Sequence, residues 1–164
     1  MNILFESNRI AFVSVDEAYL EDYLAMVNDP KITRYLTGML PYYNEEKERA
    51  WIRENQNNPY LLTMIDKQSH RFIGNIELIE PKDAQGELGL VLTKEMQDQH
   101  YGSEGLKRFI DYCFLDLQIK RITLHVYAFN TRAIHVYEKQ GFTVYKQDGQ
   151  DIYMELKLYG IKKA

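Results

Sequence analysis

Two rhythms of hydrophobic and polar positions run along this chain. Arg9 to Val15 ("RIAFVSV") is dense in β-branched and aromatic residues and predicts a strand. Asp16 follows as the N-cap of a helix to about Val27, which Asn28-Asp29-Pro30 ends. "KITRYLTG" predicts a short helical turn stopped by Gly38. The next helix has Asn44 as its N-cap, acids in its first turn, and Ala50, Trp51 and Ile52 on its buried face. The pattern then changes to strands. "YLLTMID" and "RFIGNIELIE" flank the polar "KQSH", a loop of hairpin length, and Gly86 to Thr93 is a third strand. Leu106, Phe109, Ile110, Cys113, Phe114 and Leu117 return to helical spacing. "RITLHVYAF" predicts a strand, Thr131 to Gln140 a helix, and "FTVYKQDGQDIYMELKL" a final hairpin with Asp148-Gly149 in its turn. The order β-α-α-β-β-β-α-β-α-β-β predicts an α/β (α+β) protein, a mixed sheet with helices on both faces. With no linker, repeat or low-complexity segment, residues 1–164 read as a single domain.

Composition narrows the partners. A net charge of −4 does not supply the basic face that a nucleic-acid footprint needs, so no nucleic-acid partner is expected, while a cationic acceptor is compatible. One cysteine, Cys113, excludes an internal disulfide and suggests a reducing, cytoplasmic setting; among apolar helix residues it reads as a core thiol. The N-terminus has no long apolar run behind a basic start, and no window approaches the ~20 apolar residues of a membrane span, so neither signal peptide nor membrane association is expected. His70, His100, His125 and His135 lack metal-ligand spacing, so no metal is expected. The P-loop, the GxGxxG fingerprint and the GxSxG elbow are all missing.

Candidate chemistry gathers in two places. "LVLTKEMQDQHYGSEGLKRF" joins a strand to a helix N-terminus, where unpaired N–H groups and the helix dipole favour an anion. Gly102 and Gly105 would let backbone approach a ligand; the alternative is a surface loop with Ser103 as a helix cap. Further along the same strand, Glu87, Gly89 and Val91 share one face and Leu88, Leu90 and Leu92 the other. A carboxylate opening an apolar strand is a base candidate if burial raises its pKa, or simply a solvated strand end. Glu77 is a second such candidate. Tyr35, Tyr42 and Tyr43 are candidates for a pocket wall, and Glu45, Glu46 and Glu48 for a helix N-terminal charge bias or a cationic-substrate rim.

Two motifs carry a family resemblance. Gln97-Asp98-Gln99-His100-Tyr101-Gly102 resembles the pyrophosphate loop of the GNAT N-acetyltransferases, Q/R-x-x-G-x-G/A. The stretch from Asn130 to Phe142 ("NTRAIHVYEKQGF") resembles that family's N-x-x-A-x-x-x-Y-x-x-x-G-F. "NDPKITRYLTG" ahead of a helix is similar to the RimJ/RimL branch, which includes spermidine acetyltransferases. The resemblance implies a central, mostly antiparallel mixed sheet of about seven strands, acetyl-CoA as cosubstrate, and an amine acceptor: a peptide N-terminus, a polyamine or another small amine. It also implies that the strand Leu88 to Thr93 splays from Arg121 to Phe129, so that backbone groups of Leu90, Val91 and Leu92 meet the pantetheine amides. The N–H groups of Gln97, Asp98, Gln99, His100, Tyr101, Gly102 and Ser103 would hold the pyrophosphate. Asn130 would contact the pantetheine arm, Tyr137 would be the general acid beside the sulfur, and Glu87 the base. Homodimers are common in the family. His100 departs from the pattern, standing where glycine is usual; histidine tolerates left-handed backbone better than most non-glycine residues.

Acyl transfer to an amine requires a neutral nitrogen, a polarised carbonyl and a protonated leaving sulfur. A lysine-like amine costs roughly 4–5 kcal/mol to deprotonate at pH 7, an α-amino group only about 1–1.5 kcal/mol. Two other readings compete: a CoA-binding regulatory module without turnover, favoured by His100, and an interaction domain that binds no CoA.

Overall fold

A computed structural model describes residues 2–33 and 43–158. Its strands are β1 (Ile3–Glu6), β2 (Ile10–Ser14), β3 (Leu61–Asp66), β4 (Phe72–Lys82), β5 (Gln85–Leu92), β6 (Arg121–Tyr127), β7 (Thr143–Asp148) and β8 (Asp151–Lys157). The helices are α1 (Leu20–Val27), α2 (Pro30–Thr33), α3 (Glu45–Asn55), α4 (Tyr101–Asp111) and α5 (Thr131–Lys139). The strands form one mixed sheet of eight, in the order β1-β2-β3-β4-β5-β6-β8-β7. Every neighbouring pair is antiparallel except β5 and β6.

The eighth strand corrects the expected count of about seven. β1 escapes the sequence pattern because it is a four-residue edge strand with Ile3 and Leu4 exposed, so it shows no inside-outside alternation. Phe5 anchors it, stacked 4.5 Å from Phe12 and tilted 4.3 Å from Tyr112, and Arg108 donates to the Glu6 carbonyl (3.0 Å). Of the helical turn expected from Lys31 to Gly38, α2 holds Lys31 to Thr33; the rest lies outside the described residues, as do Tyr35 and Tyr42.

The two faces of the sheet carry separate cores. On one, Ile10, Phe12, Leu62, Met64, Ile76 and Leu88 meet Leu106, Phe109 and Cys113 from α4 and the turn that extends it. On the other, Ala11, Val13 and Ile65 meet Tyr23 of α1 and Ile52 of α3. Gly105 belongs to the first core and not to a ligand site: a β-carbon there would stand 2.8 Å from Met64 Sδ. The caps fall as the sequence suggests at Asp16, which accepts from Ala18 N–H, and at Asn44, which accepts from Lys47 N–H. α4, however, starts two residues before the expected Ser103 and ends in a π turn over Tyr112–Asp116.

Candidate active site

β5 and β6 run side by side for only three residues. Gln85, Gly86 and Glu87 pair with Arg121, Ile122 and Thr123, and there the strands part. β5 continues bonded to β4 as far as Leu92, opposite Gly74, and β6 stays bonded to β8 as far as Tyr127, opposite Asp151. The edge of β5 from Leu88 to Leu92 that would face β6 therefore has no strand partner. A cavity of about 530 Å³ fills the wedge, within the usual range for small-molecule sites. α5 lines one wall, with Ala133, Val136 and Tyr137 packed against the core and open to the cavity. Leu88, Leu90, Val91 and Leu92 line the other.

Between β5 and α4 lies a loop with two left-handed residues, Asp98 (φ 61°) and His100 (φ 66°, ψ 11°). His100 takes the conformation that favours glycine, and so sets the turn into α4. Gln97, Asp98, His100, Gly102 and Ser103 all line the cavity beside the first turn of an eleven-residue helix, where N–H groups have no carbonyl partner. Two of the residues expected to offer backbone N–H groups direct their side chains elsewhere. Tyr101 is buried in the core; its hydroxyl donates to Asp66 Oδ2 (2.6 Å) and Arg9 lies 4.0 Å over its ring. Gln99 turns back to donate to the Glu95 carbonyl (2.6 Å). For both, only the backbone remains as a candidate contact.

α5 is tied to this loop. Arg132 donates to Asp98 Oδ1 (2.7 Å) and Gln97 Oε1 (3.1 Å), bridging the two lips of the cavity. Asn130 caps α5 by accepting from Ala133 N–H (3.3 Å) and also lines the cavity, so cap and site coincide in one side chain.

Tyr137 Oη has no hydrogen-bond partner among the described residues, and burial pushes its pKa up to about 12. On the opposite face of β5, Glu87 is exposed at the cavity rim. Glu77, on β4, is half-buried, and its pKa is raised by burial and then by the charge of Glu87. Its carboxylate leans over Gly89, where a β-carbon would stand 3.2 Å from Oε1. The cavity thus has an anion-favouring loop at one end and the Glu87 carboxylate at its rim, with Glu77 on β4 near enough to feel that charge. Among the described residues no three His, Cys, Asp or Glu side chains gather as a metal site, and no helix is long and apolar enough to cross a membrane.

Residues 9–143 match the family described as acetyltransferase (GNAT) domain. The chain belongs to the GNAT acetyltransferase family. Its relatives include spermidine N(1)-acetyltransferase of Vibrio cholerae, 29% identical over 62% of this chain and 61% of that one, and the Campylobacter jejuni acetyltransferase PseH, 22% identical over 87% of both. The match thus spans about three fifths of the length of the spermidine enzyme. The GNAT fold is shared with a Bacillus anthracis acetyltransferase structure (TM-score 0.82, 18% identity, covering 96% of this chain and 98% of that chain). It is also shared with the Vibrio cholerae spermidine N-acetyltransferase in complex with CoA and spermine (TM-score 0.83, 21% identity, 93% and 97% covered).

Arg132, Gly89 and His125 are among the cavity-lining residues that the sequence reading did not place in the site. Arg132 sits inside the second GNAT motif, so its position two residues past Asn130 was the available signal. Gly89 and His125 carry no local signal, since they reach the cavity only because the sheet sets β5 and β6 on either side of it.

Proposed function

We propose that this protein is an acetyl-CoA-dependent N-acetyltransferase that transfers acetyl directly to a primary amine in a ternary complex. The parting of β5 from β6, with Tyr137 on the wall of the gap, is the observation that carries this reading. An exposed strand edge binds an extended, amide-bearing chain by completing the ladder, and the pantetheine arm is such a chain. Backbone groups of Leu90, Val91 and Leu92 fit that task, with Asn130 facing them from α5. Backbone N–H groups from Gln97 to Ser103 suit the pyrophosphate, and Arg132 brings a cation to the same lip. Because His100 already holds left-handed backbone, its departure from glycine does not favour a module without turnover.

Bound acetyl-CoA supplies an activated acyl carbon on a thiol leaving group. Tyr137 Oη stays protonated at neutral pH, given a pKa near 12. Complete transfer of its proton to a thiolate of pKa ~8.5 is uphill by roughly 5 kcal/mol. Tyr137 therefore acts mainly through a hydrogen bond that strengthens as charge builds on sulfur. On the other face, Glu77 receives a proton from the acceptor more readily than a solvated carboxylate does, and the charge of Glu87 at the rim attracts an ammonium. These carboxylates, together with relatives named for spermidine, favour a small amine with more than one positive charge over a peptide N-terminus, which carries a single one. A cytoplasmic setting and self-association are proposed alongside; one structural neighbour is a dodecameric spermidine N-acetyltransferase of Vibrio cholerae.

The test is thiol release from acetyl-CoA across spermidine, aminoglycosides and short peptides with free N-termini. Release with one amine class, reduced strongly in Tyr137→Phe, supports the reading. No release with any amine, while CoA still raises the melting temperature, supports a binding module instead.

A further inference from the structure

Arg9 is not among the residues that line the cavity, yet it reaches the loop before α4 from the end of the β1–β2 turn, 90 residues away in the chain. Its guanidinium makes three contacts there. Nη2 donates to the Gln99 carbonyl (3.1 Å), Nε donates to Glu104 Oε1 in the first turn of α4 (2.7 Å), and Cζ lies 4.0 Å from the centre of the Tyr101 ring. The other oxygen of Glu104 accepts from the Arg9 N–H (2.7 Å) and from the Ser7 hydroxyl (2.5 Å), so the whole turn is fastened to α4. The β3–β4 turn joins the same frame, where Lys67 N–H donates to the Arg9 carbonyl (2.8 Å). The Glu104 side chain is only 19% exposed, which limits screening of the pair by solvent.

Gln99 sits between Asp98 and His100, the two left-handed residues of the loop. Neither is glycine, so contacts around the loop must hold this backbone shape. The peptide joining Gln99 to His100 is trans, and a trans unit directs its carbonyl and its N–H in opposite senses. A Gln99 carbonyl drawn toward Arg9 therefore sends the His100 N–H the other way, and that N–H has no acceptor among the described residues. His100 lines the cavity, as do Gly102 and Ser103 on the helical turn that follows. Glu104, which fixes the guanidinium, also donates its own N–H to the His100 carbonyl (3.1 Å). The peptide groups before and after His100 are thus each held by one member of the Arg9–Glu104 pair.

We propose that Arg9 is a positioning residue for the cosubstrate: through the Gln99 carbonyl it holds the His100 N–H toward the cavity, ready for an oxygen of the CoA pyrophosphate. This rests on the acetyltransferase reading. Arg9 touches neither the phosphates nor the reacting atoms. Its charge is taken up by Glu104, so it acts through backbone geometry and not as a direct anion binder. In this it differs from Arg132, which lines the cavity itself. The requirement belongs to the pyrophosphate end of the cosubstrate, and the pantetheine arm along β5 does not depend on it.

The experiment compares acetyl-CoA with acetyl-pantetheine, the same thioester without pyrophosphate and nucleotide, in wild type, Arg9→Gln and Arg9→Lys. The acceptor is whichever amine of the panel is acetylated fastest, and melting temperatures are measured in parallel. In Arg9→Gln the KM for acetyl-CoA is expected to rise about 10-fold, the effect of losing one charge-assisted hydrogen bond, with kcat within about twofold. The kcat/KM for acetyl-pantetheine is expected to change by less than about twofold, since only binding at the pyrophosphate is lost. Arg9→Lys keeps a charge beside Glu104 without the two-armed donor, so it recovers the melting temperature but not the KM. Equal losses with the two thioesters overturn the proposal, because they mark Arg9 as a structural tie only. An unchanged KM for acetyl-CoA in both variants overturns it as well. If Arg9→Gln does not fold, Arg9→Lys decides by the same comparison. A wild type that neither binds nor turns over acetyl-CoA defeats the acetyltransferase reading itself, and this proposal with it.

Discussion

In the proposed reaction Tyr137 acts through a hydroxyl that burial keeps poorly solvated. A hydroxyl at the protein surface would be satisfied by water and would gain little as a neighbouring sulfur became charged. Tyr137→Phe removes that donor without changing the ring packing against Phe142 (5.9 Å). We expect kcat to fall by about 10²-fold or more, with the CoA-induced melting shift unchanged. Glu77 gives a prediction of opposite kind. A base must be deprotonated to act, and the pKa of Glu77 is raised, so kcat/KM should fall as pH drops through that raised value. Glu77→Gln should lower the plateau and abolish that acidic limb in the pH–rate profile. A place on the cavity wall was legible where a motif supplied it, as for Asn130 and Tyr137. The direction of single side chains was not: Tyr101 lies next to the cavity-lining Gly102, yet its side chain points into the core.

Elements hold these residues through contacts remote in sequence. The loop before α4 keeps its shape partly because Tyr101, the first residue of the helix, is bolted to the β3–β4 turn through Asp66. Asp66 also accepts from Gln68 N–H, Ser69 N–H and the Ser69 hydroxyl. Led by the Ser69 N–H bond and then by Tyr101, these hold its pKa at about 2. A carboxylate depressed in the folded state stabilises fully above its unfolded pKa of ~3.9 and ceases to do so as pH falls toward 2. Asp66→Asn should cost about 2 kcal/mol at pH 7 by urea unfolding, with the penalty shrinking between pH 4 and 2. Alternation and helical spacing made nearly every element readable. β1 was not, because an exposed edge strand has no buried face to impress a pattern on its sequence.

At the scale of the molecule, one sheet carries two cores and is interrupted once, between β5 and β6. That interruption was inferred only from family resemblance, since nothing local in "GELGLVLT" or "RITLHVYAF" states which strands part. The placement of Cys113 was open to direct reading: it is fully buried and burial raises its pKa, so native protein should give no thiol signal with a disulfide reagent until unfolded. The parting of β5 from β6 makes the most direct test possible by amide hydrogen exchange with and without acetyl-CoA. The account predicts slowed exchange at the free edge of β5, between Leu88 and Leu92, and at the start of α4, with the β1–β2 hairpin unchanged. Protection confined to other parts of the sheet, or none at saturating acetyl-CoA, would contradict it.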